Sequence, residues 1–199
     1  DLLHGGHLSH GSPANRSGKY FNIVPYTINP ETGKIDYEAI EKLALEHQPR
    51  LIIGGFSSYP WTVDWERFRA IADLVGAYLL ADIAHVAGLV VAGEYPSPLG
   101  HAHVITSTTH KSLYGPRGAI IMTTDPKLSS AIDMAVFPGE QGGPHVNVYA
   151  AMCLIFKYAQ TEEFTELQQQ VVKNCAKLAD HLASRGFQIA YGGTNTHMM

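Results

Sequence analysis

Short, nearly continuous apolar runs alternate with segments of helical spacing through the middle of this 199-residue chain. The segment Asp64–Val75 has the apolar periodicity of an amphipathic helix. The apolar runs are Leu51–Phe56, Ala77–Leu80, His103–Thr106 and Ala119–Met122. A strand that is apolar along its whole length is buried on both faces, which is typical of a parallel sheet covered by helices. The sequence therefore predicts an α/β fold with a mostly parallel sheet sandwiched by helices.

The regions on either side predict further elements. Before the apolar runs, we expect a strand near Tyr20–Tyr26, a turn at Asn29–Gly33 and a helix over Asp36–His47. After them, we expect two long helices and a new strand, at Val146–Gln160, Glu162–Ser184 and Phe187–Ala190. The change of pattern predicts a large domain over residues 1–158 and the beginning of a smaller C-terminal α/β domain over residues 159–199.

Composition limits the functions that this chain can have. Its 14 Lys and Arg and 18 Asp and Glu residues give a formal net charge of −4, and the basic residues are scattered. We therefore expect no nucleic acid and no anionic membrane as partners. Two cysteines and the lack of a long apolar run favour a cytoplasmic protein. The chain starts without methionine and stops where a strand could begin, so we expect it to be the central part of a longer protein.

Polar residues follow three of the apolar runs, at the point where each predicted strand ends. Ser57 lies after the first run, Asp82 and His85 after the second, and Thr108 to Lys111 after the third. Ligands of an open parallel sheet bind beyond the carboxyl ends of its strands. We therefore expect these three clusters to converge on one crevice.

Asp82 and Lys111 indicate the chemistry of that crevice. A carboxylate at a strand end can keep a pyridine ring protonated, and the ring then withdraws electrons from a bound substrate. A partly desolvated lysine can lose its proton and attack an aldehyde. Each residue alone has an ordinary alternative, a helix cap for Asp82 and a surface position for Lys111. Together, with hydroxyls before Lys111 and glycines after it, they predict a site for pyridoxal phosphate (PLP).

Two glycine-rich loops are further candidates. In the first, His4, His7 and His10 recur at intervals of three, and an imidazole such as His7 could stack on a flat cofactor ring. The spacing also allows a zinc site, but no cysteine or carboxylate completes a ligand set, so no metal is predicted. The second loop, Gly139–Pro144, precedes a helix and could bind phosphate through backbone amides, although a connecting loop needs such glycines anyway.

Five motifs in this chain resemble those of the serine hydroxymethyltransferase family. They are His4–Pro13, Ile52–Ser57, Asp82–Leu89, Thr108–Gly118 and Val136–Pro144. The resemblance extends from the first residue to the last. It implies a type I PLP-dependent transferase fold and a homodimer or tetramer. It also implies exchange of a one-carbon unit between serine and tetrahydrofolate, which yields glycine and methylene-tetrahydrofolate.

The resemblance also implies roles for single residues in the cofactor site. Lys111 would carry PLP as a Schiff base, and Asp82 would pair with the pyridine nitrogen. His85 would bond the ring oxygen of the cofactor, and His7 would stack on the ring.

Further residues would complete this site. Ser57, Thr108 and His110 would line it, with His110 beside the reacting lysine. Gly142 and Gly143 would bind the phosphate of the neighbouring subunit. The folate would contact Leu2, Gly6, His7, Leu8 and, across the dimer, Phe137.

The departures from the family lie at the ends and in one loop. The N-terminal segment with its acid–base glutamate and the C-terminal arginine that binds the substrate carboxylate are absent, and Glu140 stands where a glycine is common. One alternative is therefore an inactive or partner-dependent fragment. Another is a different type I PLP enzyme, such as a cysteine desulfurase or a transaminase. A desulfurase needs a reactive cysteine in a loop, whereas Cys153 and Cys175 lie in helix-like segments.

Overall fold

The computed structural model describes residues 2–199, which form a four-stranded sheet with helices packed against it. The strands are β1 (Leu51–Gly54), β2 (Tyr78–Asp82), β3 (Val104–Thr108) and β4 (Ala119–Met122). The helices are α1 (Arg16–Tyr20), α2 (Tyr37–His47), α3 (Trp65–Leu74), α4 (Ala87–Val91), α5 (Pro126–Met134), α6 (Val146–Tyr158) and α7 (Glu162–Ser184).

The sheet has the order β1-β2-β3-β4, so strands that follow each other in the chain are neighbours. The first three strands are parallel, and β4 is antiparallel to β3. The expected mostly parallel sheet is confirmed, and its single antiparallel pair has a local cause. The loop from Thr109 to Gly118 turns the chain straight back, so that Thr108 pairs with Ala119.

Buried apolar residues of the sheet and helices form one core. Leu79 of β2, Phe68 of α3 and Leu89 of α4 are completely buried in it. The two helices predicted before and after β1 begin at aspartate caps, because Asp36 accepts from the Ala39 amide and Asp64 from the Arg67 amide. Such caps satisfy amides that have no partner inside the helix, and they fix where each helix starts.

Two expected strands are wrong. Residues 16–20 form α1, which Asn15 caps through the Ser17 amide, and the chain after it has no strand as far as residue 26. Residues 187–190 do not form a strand either, and a short 3-10 helix follows over Ala190–Gly192. In both places the apolar pattern suits a strand, but within residues 2–199 no neighbouring strand pairs with it.

Residues 159–199 pack against the rest of the chain. Phe164 of α7 is buried in the same core as the sheet. Near the C-terminus, the Asn195 amide donates to the Pro60 carbonyl, and the Thr62 amide donates to the Asn195 side chain. The division at residue 158 stays a prediction. Among the described residues, no helix is both long and apolar enough to cross a membrane.

Candidate active site

The three parallel strands end at the same edge of the sheet, where Gly54 pairs with Ala81 and Asp82 pairs with Thr106. β1 ends at Gly54, β2 at Asp82 and β3 at Thr108. The chain after β1 passes very close to β2, because a Cβ built on Gly55 would lie 2.2 Å from the Asp82 carbonyl oxygen. Gly55 also has a φ of 140°, which residues with a side chain rarely adopt. A glycine is therefore needed here to bring the segment of Ser57 beside Asp82.

Both oxygens of the Asp82 carboxylate have a hydrogen-bond partner. The Ala84 amide donates to Oδ1 at 3.1 Å, and His10 Nε2 lies 2.8 Å from Oδ2. Burial raises the pKa of Asp82, but the hydrogen bonds from His10 and Ala84 and the positive charge of Lys111 outweigh burial and hold the pKa below its usual value. Asp82 is therefore an oriented, ionised carboxylate at the end of a strand, which is the state that a pyridinium partner requires.

His10 is a site residue that the sequence reasoning missed, because His10 was weighed only as a zinc ligand. The histidine-rich loop folds into two short 3-10 helices, and the ring of His10 lies 5.7 Å from that of His7. The loop is held to the segment after β1, since the amides of Ser57 and Ser58 both donate to the Gly5 carbonyl. The spacing of three histidines suggested a zinc site. In the folded loop, His10 instead contacts Asp82, and the side chain of His7 is exposed.

The loop that carries Lys111 is closed by its own hydrogen bonds. Completely buried Thr109 makes three of them: its amide donates to the Gly118 carbonyl, its hydroxyl to the Pro116 carbonyl, and its carbonyl accepts from the Gly115 amide. The Tyr114 amide donates to the Lys111 carbonyl at 2.9 Å. Lys111 therefore lies at the start of a tight turn whose backbone is fixed at both ends.

The surroundings of His85, which include Lys111, favour the neutral form of its imidazole. Burial, followed by the electrostatic influence of Lys111, His197 and His7, lowers the pKa of His85 to about 4. A neutral imidazole can donate one hydrogen bond and accept another, as a contact to a phenolic oxygen requires. His197 is a second residue that the sequence reasoning missed. Burial lowers the pKa of its imidazole as well, and its buried Nδ1 atom has no hydrogen-bond partner among the described residues.

Several predicted site residues present buried polar atoms that have no hydrogen-bond partner in the described part of the chain, residues 2–199. They are Ser57 Oγ, Thr108 Oγ1 and His110 Nδ1. Buried polar atoms are nearly always hydrogen-bonded in native proteins, so a group of them at strand ends indicates a ligand. A pyridine ring with oxygen and phosphate substituents suits these atoms together with the ionised Asp82 and the lysine. The residues present therefore fit PLP.

Other predicted residues lie on the surface. Leu2, Leu8 and Phe137 are exposed, and so are Gly142 and Gly143. The segment with the two glycines is tied to the histidine-rich end of the chain by an ion pair between Arg16 and Glu140. These residues are not gathered around Asp82 as His10 is, which agrees with their expected contacts to folate or to a second subunit but does not test them.

Cavities and clusters of metal-binding side chains give little further evidence for a functional site. A cavity of about 510 Å³ is lined by Trp61, Trp65 and their neighbours, and none of the predicted site residues lines it. A much smaller cavity does reach Asp82. The buried unpartnered atoms and the ionised Asp82 are stronger evidence for chemistry than the larger volume. Within residues 2–199, no group of three or more His, Cys, Asp or Glu side chains is arranged to hold a metal ion.

A sheet of this kind, with an aspartate, a lysine and histidines at its strand ends, belongs to the type I fold of PLP-dependent enzymes. A family model described as serine hydroxymethyltransferase matches residues 1–199. A serine hydroxymethyltransferase from Marinobacter nauticus is 55% identical over 198 residues, which are 99% of this chain and 48% of that protein. The chain belongs to the serine hydroxymethyltransferase family, and it spans about half the length of this curated relative.

Proposed function

We propose that this chain forms the cofactor-binding part of an enzyme that interconverts serine and glycine and transfers the one-carbon unit to tetrahydrofolate. The observation that carries the proposal is the half-buried, ionised Asp82 carboxylate, which is oriented by His10 and the Ala84 amide and lies within the electrostatic influence of Lys111. Membership of the serine hydroxymethyltransferase family supports the choice of substrates. When bound, PLP supplies an electron sink for the bond that breaks.

In this proposal the residues of the chain bind and orient. Lys111 would hold the cofactor covalently through its side-chain amine. Ionised Asp82 would keep a proton on the pyridine nitrogen, and neutral His85 would hydrogen-bond the ring oxygen. His7 would stack on the ring, while Ser57, Thr108 and His110 would supply polar atoms that have no hydrogen-bond partner among residues 2–199.

The remaining roles concern the folate and the assembly. Leu2, Gly6, His7 and Leu8 contact the folate, and Phe137 reaches it from the other subunit of a homodimer or tetramer. Gly142 and Gly143 bind the phosphate of that other subunit. The wide exposure of apolar residues from Met134 to Leu154 supports such an assembly. The cytoplasm remains the expected compartment.

Replacing Lys111 by arginine in the full natural polypeptide tests this proposal. Arginine keeps the charge but cannot lose its proton to attack an aldehyde. We expect the absorbance of covalently held cofactor to disappear and serine-to-glycine conversion to fall by about 10²–10⁴-fold. The control is Lys127→Arg, at an exposed position of α5, which should behave like the unmodified protein. Covalent cofactor binding that survives in Lys111→Arg would contradict the proposal.

A further inference from the structure

We infer that Gln168 of α7 is a positioning residue for Lys111, an inference that deepens the proposed function and depends on it for its catalytic meaning. Gln168 is only 1% exposed, in a helix whose other face is exposed to solvent. A buried amide is costly unless it is hydrogen-bonded. Its Nε2 atom donates to the backbone carbonyl of Ser112 at 3.1 Å, and Ser112 directly follows the proposed cofactor lysine.

Ser112 is held from two sides. The Gly88 amide of α4 donates to its hydroxyl at 3.0 Å, while Gln168 holds its carbonyl. The fit is tight, because a Cβ built on Gly88 would lie 2.2 Å from the Ser112 carbonyl oxygen and 3.0 Å from Gln168 Nε2. Helices α4 and α7 therefore meet at the backbone of the Lys111 loop, and the Gln168 amide is the polar link between α7 and that loop.

A second contact joins the same face of α7 to the same loop. Phe164 lies one helical turn before Gln168 and is completely buried, with its ring edge-on to Tyr114 at a centroid distance of 6.2 Å. Tyr114 has a φ of 60°, which is unusual for a residue with a side chain. The irregular turn from Lys111 to Tyr114 is thus held in place by a helix far away in the sequence.

The first variant to test is Gln168→Met, which keeps the length of the side chain and removes the donor. Hydrogen exchange of the amides at residues 111–115, measured in the cofactor-free full polypeptide, should become about tenfold faster. Added PLP should also bond to Lys111 about tenfold more slowly. The matched control is Gln170→Met, two residues along the same helix and exposed. It should change neither rate.

A second variant, Gln168→Glu, separates positioning from loss of folding. A protonated carboxyl group can donate to the Ser112 carbonyl as the amide does, whereas the ionised group repels it. Burial raises the pKa of such a carboxyl group, so the loop should be protected as in the unmodified protein near pH 6 and lose that protection by about pH 9. Each exchange rate is compared with that of the unmodified protein at the same pH. A role in folding alone would not produce this local, pH-dependent loss.

Three results would overturn the inference. Exchange at residues 111–115 could be unchanged in Gln168→Met, it could be as fast in Gln170→Met, or Gln168→Glu could show no dependence on pH relative to the unmodified protein. The exchange experiment needs no cofactor. Its outcome is therefore independent of Lys111→Arg, and failure of the positioning role can be distinguished from failure of the proposed function.

Discussion

The ends of the three parallel strands and the segment from Met134 to Leu154 have opposite characters. At the strand ends, Asp82 is hydrogen-bonded at both oxygens and the Lys111 loop is closed by buried Thr109. In the other segment several large apolar side chains face outwards, with Phe137 61% and Leu154 72% exposed. The first region fixes the Asp82 carboxylate and the backbone of the Lys111 loop by contacts within the chain, whereas the second leaves apolar area uncovered.

This difference shows what one copy of the chain can supply. The strand ends contain an oriented carboxylate, a lysine on a fixed turn and unpartnered polar atoms, which is what the pyridine side of a cofactor needs. The exposed segment contains the proposed phosphate and folate contacts, Gly142, Gly143 and Phe137. An extended exposed apolar surface supports the proposed contact with a second subunit. The two regions should therefore respond differently to substitution.

The largest effect is expected at the strand ends, from Asp82→Asn in the full natural polypeptide. Asparagine has the same shape but no charge, so it cannot keep a proton on the pyridine nitrogen. Covalent cofactor binding to Lys111 should persist, while serine-to-glycine conversion falls by roughly 10²–10⁴-fold. Asp73→Asn is the control, because Asp73 lies on α3 and pairs with Arg69 at the surface. Conversion within threefold of the unmodified protein would show that Asp82 is not the ring partner.

In the exposed segment, Leu154→Glu should act on assembly and leave the strand ends unchanged. A carboxylate in an apolar contact between subunits has to be desolvated, so we expect the dissociation constant of the assembly to rise by about 10–100-fold. Sedimentation at several protein concentrations measures this constant, and the near-ultraviolet circular dichroism should not change. Leu45→Glu, at an exposed position of α2, is the control. Equal effects of the two variants would mean that this segment is not an interface.

Sequence reasoning predicted the sheet and the helices around it because burial leaves a clear periodic pattern in a continuous stretch of chain. It also predicted Asp82 and Lys111 as site residues, because both lie directly after predicted strands. It could not find His10 as the partner of Asp82, since a contact across 72 positions is set by how the histidine-rich loop folds. The opposite failure occurs at Phe187–Ala190, where the apolar pattern predicts a strand but no strand lies beside it within residues 2–199.

A smaller effect is expected from substituting His10. This substitution tests whether the Asp82 carboxylate is oriented by a hydrogen bond that His10 donates. His10→Ala removes the hydrogen bond to Asp82 Oδ2 and should lower serine-to-glycine conversion about tenfold. His10→Gln keeps an N–H group at similar reach and should stay within about threefold of the unmodified enzyme. His47→Ala, at the exposed end of α2, is the control. If alanine and glutamine have the same effect, then His10 acts through something other than its donor.

The smallest effect concerns stability against pH. In the folded protein the pKa of His85 is lowered to about 4 from its usual 6.5, so protonation of this residue favours the unfolded chain. The stabilisation is complete above pH 6.5 and is lost as the pH falls towards 4. The expected loss is roughly 1–3 kcal/mol in the free energy of unfolding, measured by urea denaturation at each pH.

His85→Asn should remove this part of the acid sensitivity, whereas His47→Asn should leave it unchanged. Some dependence will remain, because burial also lowers the pKa of His103 and His197. If His85→Asn unfolds with the same pH profile as the unmodified protein, then His85 is not held neutral at the strand ends. In that case the chain would fix only Asp82 and the Lys111 loop at the strand ends. This region would then differ less from the exposed segment.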